Sequence, residues 1–215
     1  MSISKELIST PELNTGDIIL CHGYNKDKPD PGVDGLIEIA THSPWEHAAI
    51  VIKDPIWIDP SMVGLYVYQS GWGPNNYGDV LTGDISGTTL NHFSDFVRNR
   101  QHLYVRSISN VKWSKKDKAR FKRAFQQSHS KPYDSNILSW AGTGCGSYFG
   151  CPCFSRLTTP KETETFWCSA LVSFMYCEMG WFSKCTDWSC KTPEDLAVAN
   201  AVSPYKLGQI WMLKK

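Results

Sequence analysis

The chain has 215 residues, with 22 Lys and Arg against 21 Asp and Glu for a formal net charge of +1, so charge gives no general reason to expect a nucleic-acid partner. That length can bury a substantial core, and no repeat or long linker divides it, so a single domain over residues 1–215 is expected. No apolar run approaches the roughly 20 residues needed to span a bilayer, and the N-terminal segment lacks the apolar centre of a secretory signal, which predicts a cytoplasmic, intracellular protein, with packaging into a virion as the alternative.

The first informative element is Ala48 to Ile52, a short apolar run rich in β-branched residues, entered through Glu46-His47 and closed by Lys53-Asp54-Pro55. It predicts a strand buried on both faces. Leu65 to Ser70 is a second run, reached through a loop holding Pro55, Pro60 and Gly64 and ended by Gly71. The two predict an antiparallel hairpin. With Ile52 near Gly64, His47 falls opposite Gln69 or Ser70, which makes Gln69 a candidate orienter of the imidazole. The alternative is a polar residue on an exposed face.

Lys112 to Arg123 is the one basic cluster. It reads as the solvated face of a helix that turns Phe121, Ala124 and Phe125 inward, with peripheral contact to an anionic membrane or partner as the lesser reading. Gly142 to Arg156 is rich in glycine and thiol. Cys145, Cys151 and Cys153 could bind zinc with Cys185 or Cys190, but Cys-Pro-Cys is tighter than the usual ligand spacing. A loop lining a substrate cleft is preferred, with Tyr148, Phe149 and Phe154 as an apolar wall, and no metal or cofactor is assigned.

Phe166 to Met179 has no Gly or Pro, and Leu171, Val172, Met175 and Met179 recur on one helical face. Thr163 and Thr165 are candidate N-caps and Gly180 a stop, so Cys168 falls in the first turn. There the helix dipole and unpaired N–H groups favour a thiolate. The alternative is a small, inert core thiol. Trp45, Trp72 and Trp167 each lie within three residues of a proposed site residue, which suits a partly apolar cleft. His22, His42, His92, His102 and His129 show no ligand spacing and read as structural or exposed.

The order of these segments resembles the circularly permuted branch of the NlpC/P60 papain-like superfamily, especially YiiX-like and related viral proteins, with lecithin:retinol acyltransferase as a more distant relative. Thr15 to Leu20 resembles its opening strand, Ser43 to Val51 its histidine strand and Val67 to Ser70 its third strand. His102 to Arg106 resembles a later strand, Lys131 to Asp134 the segment before the nucleophile, Phe166 to Val172 the nucleophile helix, and Thr192 to Ala197 the segment after it. Each motif is short, and their shared order is what carries the resemblance.

The resemblance implies an α+β domain, with an antiparallel sheet carrying His47 and Gln69 packed against the helix that begins near Cys168. It implies a cysteine hydrolase or acyl-transfer enzyme acting on an amide or ester bond through a thioester, with Cys168 as nucleophile, His47 as base and Gln69 as orienter. Trp45, Trp72, Trp167 and Tyr148 are the expected substrate contacts, and peptide and lipid substrates are not separated. One departure is the pair Gln69-Ser70 where the YiiX-like pattern usually has Glu-Ala. A neutral amide stabilises an imidazolium less than a carboxylate does. Glu46 is a poor substitute unless the strand bulges. The runner-up is a catalytically silent papain-like binding module, such as a viral structural or host-interaction protein.

Overall fold

The computed structural model describes residues 12–22, 43–71, 77–98, 100, 102–134, 163–184 and 186–214. The described chain is mixed α and β, built on strands β1 (Ile18–His22), β2 (Trp45–Lys53), β3 (Leu65–Gly71), β4 (Gly87–His92), β5 (Leu103–Ser109) and β6 (Lys206–Lys214). Its helices are α1 (Phe93–Arg98), α2 (Lys115–Ser128), α3 (Cys168–Met179) and α4 (Pro193–Val198), with a short 3₁₀ turn at Trp188–Cys190. The six strands form one sheet in the order β4-β3-β2-β1-β5-β6, and every pairing is antiparallel. Segments matched by the family resemblance fall on β1, β2, β3, β5, α3 and α4.

Strand alternation divides the interior into two layers. Ile18, Leu20, Ala48, Ile50, Ile52, Tyr66, Tyr68 and Leu90 face α2 and α3, where they meet Phe121, Phe125, Leu171, Val172 and Met175. Ile19, Cys21, Ala49, Val51, Val67, Leu103 and Val105 face the other way and meet Phe96 of α1. The apolar run in β2 is therefore buried on both faces, as its composition predicts.

Local chemistry sets the element ends. Ser114 caps α2 by accepting from the Asp117 N–H while the Asp117 side chain accepts from the Ser114 N–H, and Thr192 and Asp195 repeat that reciprocal cap on α4. Phe121, Ala124 and Phe125 of α2 are buried as the basic segment's periodicity predicts. Asp17 ties β1 to its surroundings, accepting from the N–H groups of Asn14 and Ile108 at 2.9 and 3.0 Å. Burial pushes its carboxyl above the usual range, and those two hydrogen bonds oppose the shift.

The β2–β3 hairpin forms two residues away from the predicted register. Ile52 pairs with Tyr66 rather than lying near Gly64, because Asp54 and Gly64 close the loop between themselves, through Asp54 N–H to Gly64 O and Gly64 N–H to Asp54 Oδ1. A two-residue slip preserves sheet face. His47 and Gln69 accordingly remain on one side.

Candidate functional site

His47 stands near the start of β2, on the face of Ala49 and Val51. Its Nε2 lies 2.8 Å from Gln69 Oε1, and its ring centroid is 6.3 Å from that of Phe96. The two polar side chains are diagonal neighbours on adjacent strands, a relation the observed register produces directly. Arg100 Nη2 also donates to Gln69 Oε1 at 3.2 Å, while its guanidinium sits 4.6 Å over the Phe96 ring. Gln69 Nε2 donates to Asn91 Oδ1 at 2.8 Å. Asn91 in turn donates to the carbonyls of Tyr77 and Gly78.

Burial and, second, the nearby Arg100 charge hold the His47 imidazole well below its usual pKa, against the opposing hydrogen bond to Gln69. The ring is thus neutral at physiological pH. A neutral imidazole has a lone pair free to accept a proton, but the same burial and Arg100 charge disfavour the imidazolium that would result.

Cys168 is the first residue of α3 and is buried. The expected caps Thr163 and Thr165 do not serve: Trp167 is the N-cap, and it supplies no side-chain hydrogen bond to the helix. The helix start is instead held from outside. Trp167 Nε1 and Ser169 Oγ both donate to the Lys191 carbonyl, at 3.2 and 2.6 Å, and Ser70 Oγ donates to the Phe166 carbonyl at 2.6 Å. A bridge between Tyr133 and Phe166 brings the 131–134 segment alongside.

These contacts place the first turn of α3 at the end of β3 that lies beside the start of β2. Of the three residues expected to act together, His47 and Gln69 are joined directly, and Cys168 opens α3. His47 and Gln69 share the Phe96 layer, whereas α3 packs on the layer of Ala48, Ile50 and Tyr68. The imidazole Nε2 bonds to Gln69. The sheet that carries His47 and Gln69 packs against the helix beginning at Cys168, as expected, with the helix on the Ala48 and Ile50 face. Which face meets α3 is not encoded in β2, because the strand is apolar on both faces. The cysteine paired across from His47 is Cys21, buried in the same layer.

Glu46 occupies a bulge. His47 pairs with Cys21 and Trp45 with His22, so β2 carries one extra residue there. Trp45 consequently packs in the α3 layer, with its ring 5.0 Å from that of Tyr104. Trp167 is buried in that layer too, at 7% exposure. Trp72, Tyr148, Cys145, Cys151, Cys153 and Cys185 lie outside the described residues. Among the described residues no group of three or more His, Cys, Asp or Glu is placed to hold a metal ion, and no helix is long and apolar enough to cross a membrane.

Sequence reasoning passed over Asn91 and Arg100. Neither sits in a recognisable motif: Asn91 belongs to the polar strand Gly-Thr-Thr-Leu-Asn-His, and Arg100 follows α1. Only the fold brings them to Gln69.

A solved structure similar to this one is that of metalloprotein yiiX from Escherichia coli O157:H7, a DUF1105 protein. The likeness has a TM-score of 0.46 at 16% identity, covering 77% of this chain and 66% of that one. The chain thus spans just under two thirds of the length of yiiX. No family model matches the chain, and no curated protein matches it. The likeness to permuted papain-like proteins is a resemblance in the order of short sequence segments.

Proposed function

We propose that the chain is a cysteine-dependent hydrolase or acyl-transfer enzyme acting on an amide or ester bond, peptide or lipid, with Cys168 as nucleophile. The observation that supports it is Cys168 as the first residue of an α-helix whose N-cap offers no side-chain acceptor. Its first-turn N–H groups and dipole favour a thiolate and an oxyanion. In this reading the Cys168 thiolate attacks the carbonyl carbon. His47 takes the thiol proton as that attack begins and gives it to the leaving group. Water or an acceptor hydroxyl or amine then attacks the thioester, its proton passing to His47 and back to the released Cys168 thiolate.

The reading carries a structural requirement. His47 lies on the Phe96 side of the sheet while α3 packs on the other, so imidazole and thiol must meet around the sheet end beside the start of β2. The opposed faces favour a second reading, in which the domain keeps a papain-like frame and binds without chemistry.

Alkylation of each cysteine by iodoacetamide between about pH 4 and 9, read by peptide mass spectrometry in the native chain and in His47→Ala, tests the proposal. Cys168 should react fastest, remain reactive well below the free-thiol pKa of about 8.5, and lose that advantage without His47. Ordinary thiol behaviour in both proteins, or no modification of Cys168 in either by a smaller thiosulfonate probe, sinks the hydrolase reading in favour of a binding module.

A further inference from the structure

The polar chain behind His47 has a direction, and that direction starts at the backbone. Tyr77 O and Gly78 O can only accept, so the Asn91 side chain presents Nδ2 to them, at 2.8 and 3.1 Å. Asn91 Oδ1 is thereby turned toward Gln69 and must accept, as it does from Gln69 Nε2 at 2.8 Å and from Thr89 Oγ1 at 3.1 Å. Gln69 Oε1 is left facing His47 and Arg100. The guanidinium has donors only, and its 3.2 Å contact with Oε1 fixes the amide independently from the other side. Turning the amide over would set two oxygens against each other at Asn91 and two donors against each other at Arg100. An oxygen 2.8 Å from His47 Nε2 then requires that nitrogen to carry the proton.

We infer that Asn91 and Arg100 are positioning residues that, acting through Gln69, lock neutral His47 in the Nε2–H tautomer and leave Nδ1 as its one basic nitrogen. Asn91 is fully buried and Gln69 nearly so, and water cannot readily substitute for either partner. Carbonyls between β3 and β4 thus select which nitrogen of a β2 imidazole is available to take a proton. The inference deepens the proposed function, since it names the atom that would accept the Cys168 proton, but it concerns His47 alone.

Long-range ¹H–¹⁵N correlation spectra of histidine-labelled protein at neutral pH read the tautomer directly. Native protein should show His47 in the Nε2–H form alone. The Asn91→Ala/Arg100→Ala double variant removes both restraints on the orientation of the Gln69 amide, and the Nδ1–H form should appear beside the Nε2–H form. Asn91→Asp retains an acceptor for Gln69 Nε2 and should retain the native tautomer.

An Nδ1–H signature in the native protein overturns the inference without any variant, so the test survives a double variant that fails to fold. A folded double variant with an unchanged tautomer also overturns it, because Asn91 and Arg100 would then only brace the turn and α1. A locked tautomer beside an unreactive Cys168 removes the hydrolase reading and leaves this inference standing. A mixed tautomer beside a His47-dependent Cys168 does the reverse.

Discussion

His47 and Cys168 stand at one end of the same sheet and on its opposite faces, the imidazole against Phe96 and the thiol at the start of the helix that packs on Ala48 and Ile50. The imidazole is built into a polar network of Gln69, Arg100 and Asn91. That network dictates how the protein responds to substitution and to pH.

Gln69→Glu places a carboxylate between His47 and Arg100. It stabilises the imidazolium, and the His47 pKa should rise by about 1–2 units, within the range an adjacent carboxylate produces. The amide donor to Asn91 is lost in exchange, at a cost of roughly 1 kcal/mol. NMR titration of the His47 ring checks the first, and urea denaturation the second. An unmoved pKa would show that Gln69 is not the residue that sets the ring's electrostatics.

Burial lowers the pKa of His47 in the folded state relative to the unfolded chain, first by desolvation and then through Arg100. Between the lowered folded value and about 6.5 the unfolded state binds more protons, so stability is fully present above about 6.5 and falls as pH drops through that window. The slope approaches about 1.4 kcal/mol per pH unit for one proton. Urea melts of the native chain and His47→Gln between pH 4 and 8 should diverge in slope below about 6.5 and run parallel above it.

Asp79 gathers the β3–β4 connection. Its carboxylate accepts from the N–H groups of Leu90, Leu81 and Thr82 and from His129 Nε2 at 2.9 Å. Asp79→Ala leaves those donors unmatched and should cost about 2–4 kcal/mol. Asp84→Ala, at an exposed neighbour that accepts from Thr82, should cost under about 1 kcal/mol. A chemical melt of both variants distinguishes a buried hub from an ordinary surface turn.

Gly87 and Gly64 share positive φ angles of 87° and 104° but differ in surroundings. A Cβ on Gly87 would collide with the Lys131 carbonyl oxygen, while one on Gly64 meets nothing within 4 Å. Gly64→Ala should cost about 1 kcal/mol from backbone strain alone. Gly87→Ala should cost at least about 2 kcal/mol, since the backbone itself must give way. Equal melting temperatures for the two variants would refute the contact.

The hairpin of β2 and β3 and the buried helix that opens on Cys168 and stops at Gly180 are legible in the sequence, because β-branched runs, a helical apolar period and a left-handed glycine each leave a local mark. The His47–Gln69 neighbourhood is legible as well. The register is off by two residues, an even number, so the shared face survives. The side of the sheet taken by α3 is not legible, since Ala48, Ala49, Ile50, Val51 and Ile52 are all buried and offer no polar face to break the symmetry. Asn91 and Arg100 are hidden for another reason: their roles depend on strand order, with β4 beside β3, which no short motif encodes.

Because the backbone of β2 stands between the two layers, side chains of one scarcely feel the volume of those in the other. Phe96 and Leu171 belong to different layers, so resizing one should reach the other only through the sheet backbone. Such a partition lets lineages of this chain keep the helix side as scaffold while the His47 side drifts toward new polarity, or conserve the imidazole and remodel the helix. Chemistry could then be gained or lost by point changes on one face while the other continues to hold the molecule folded.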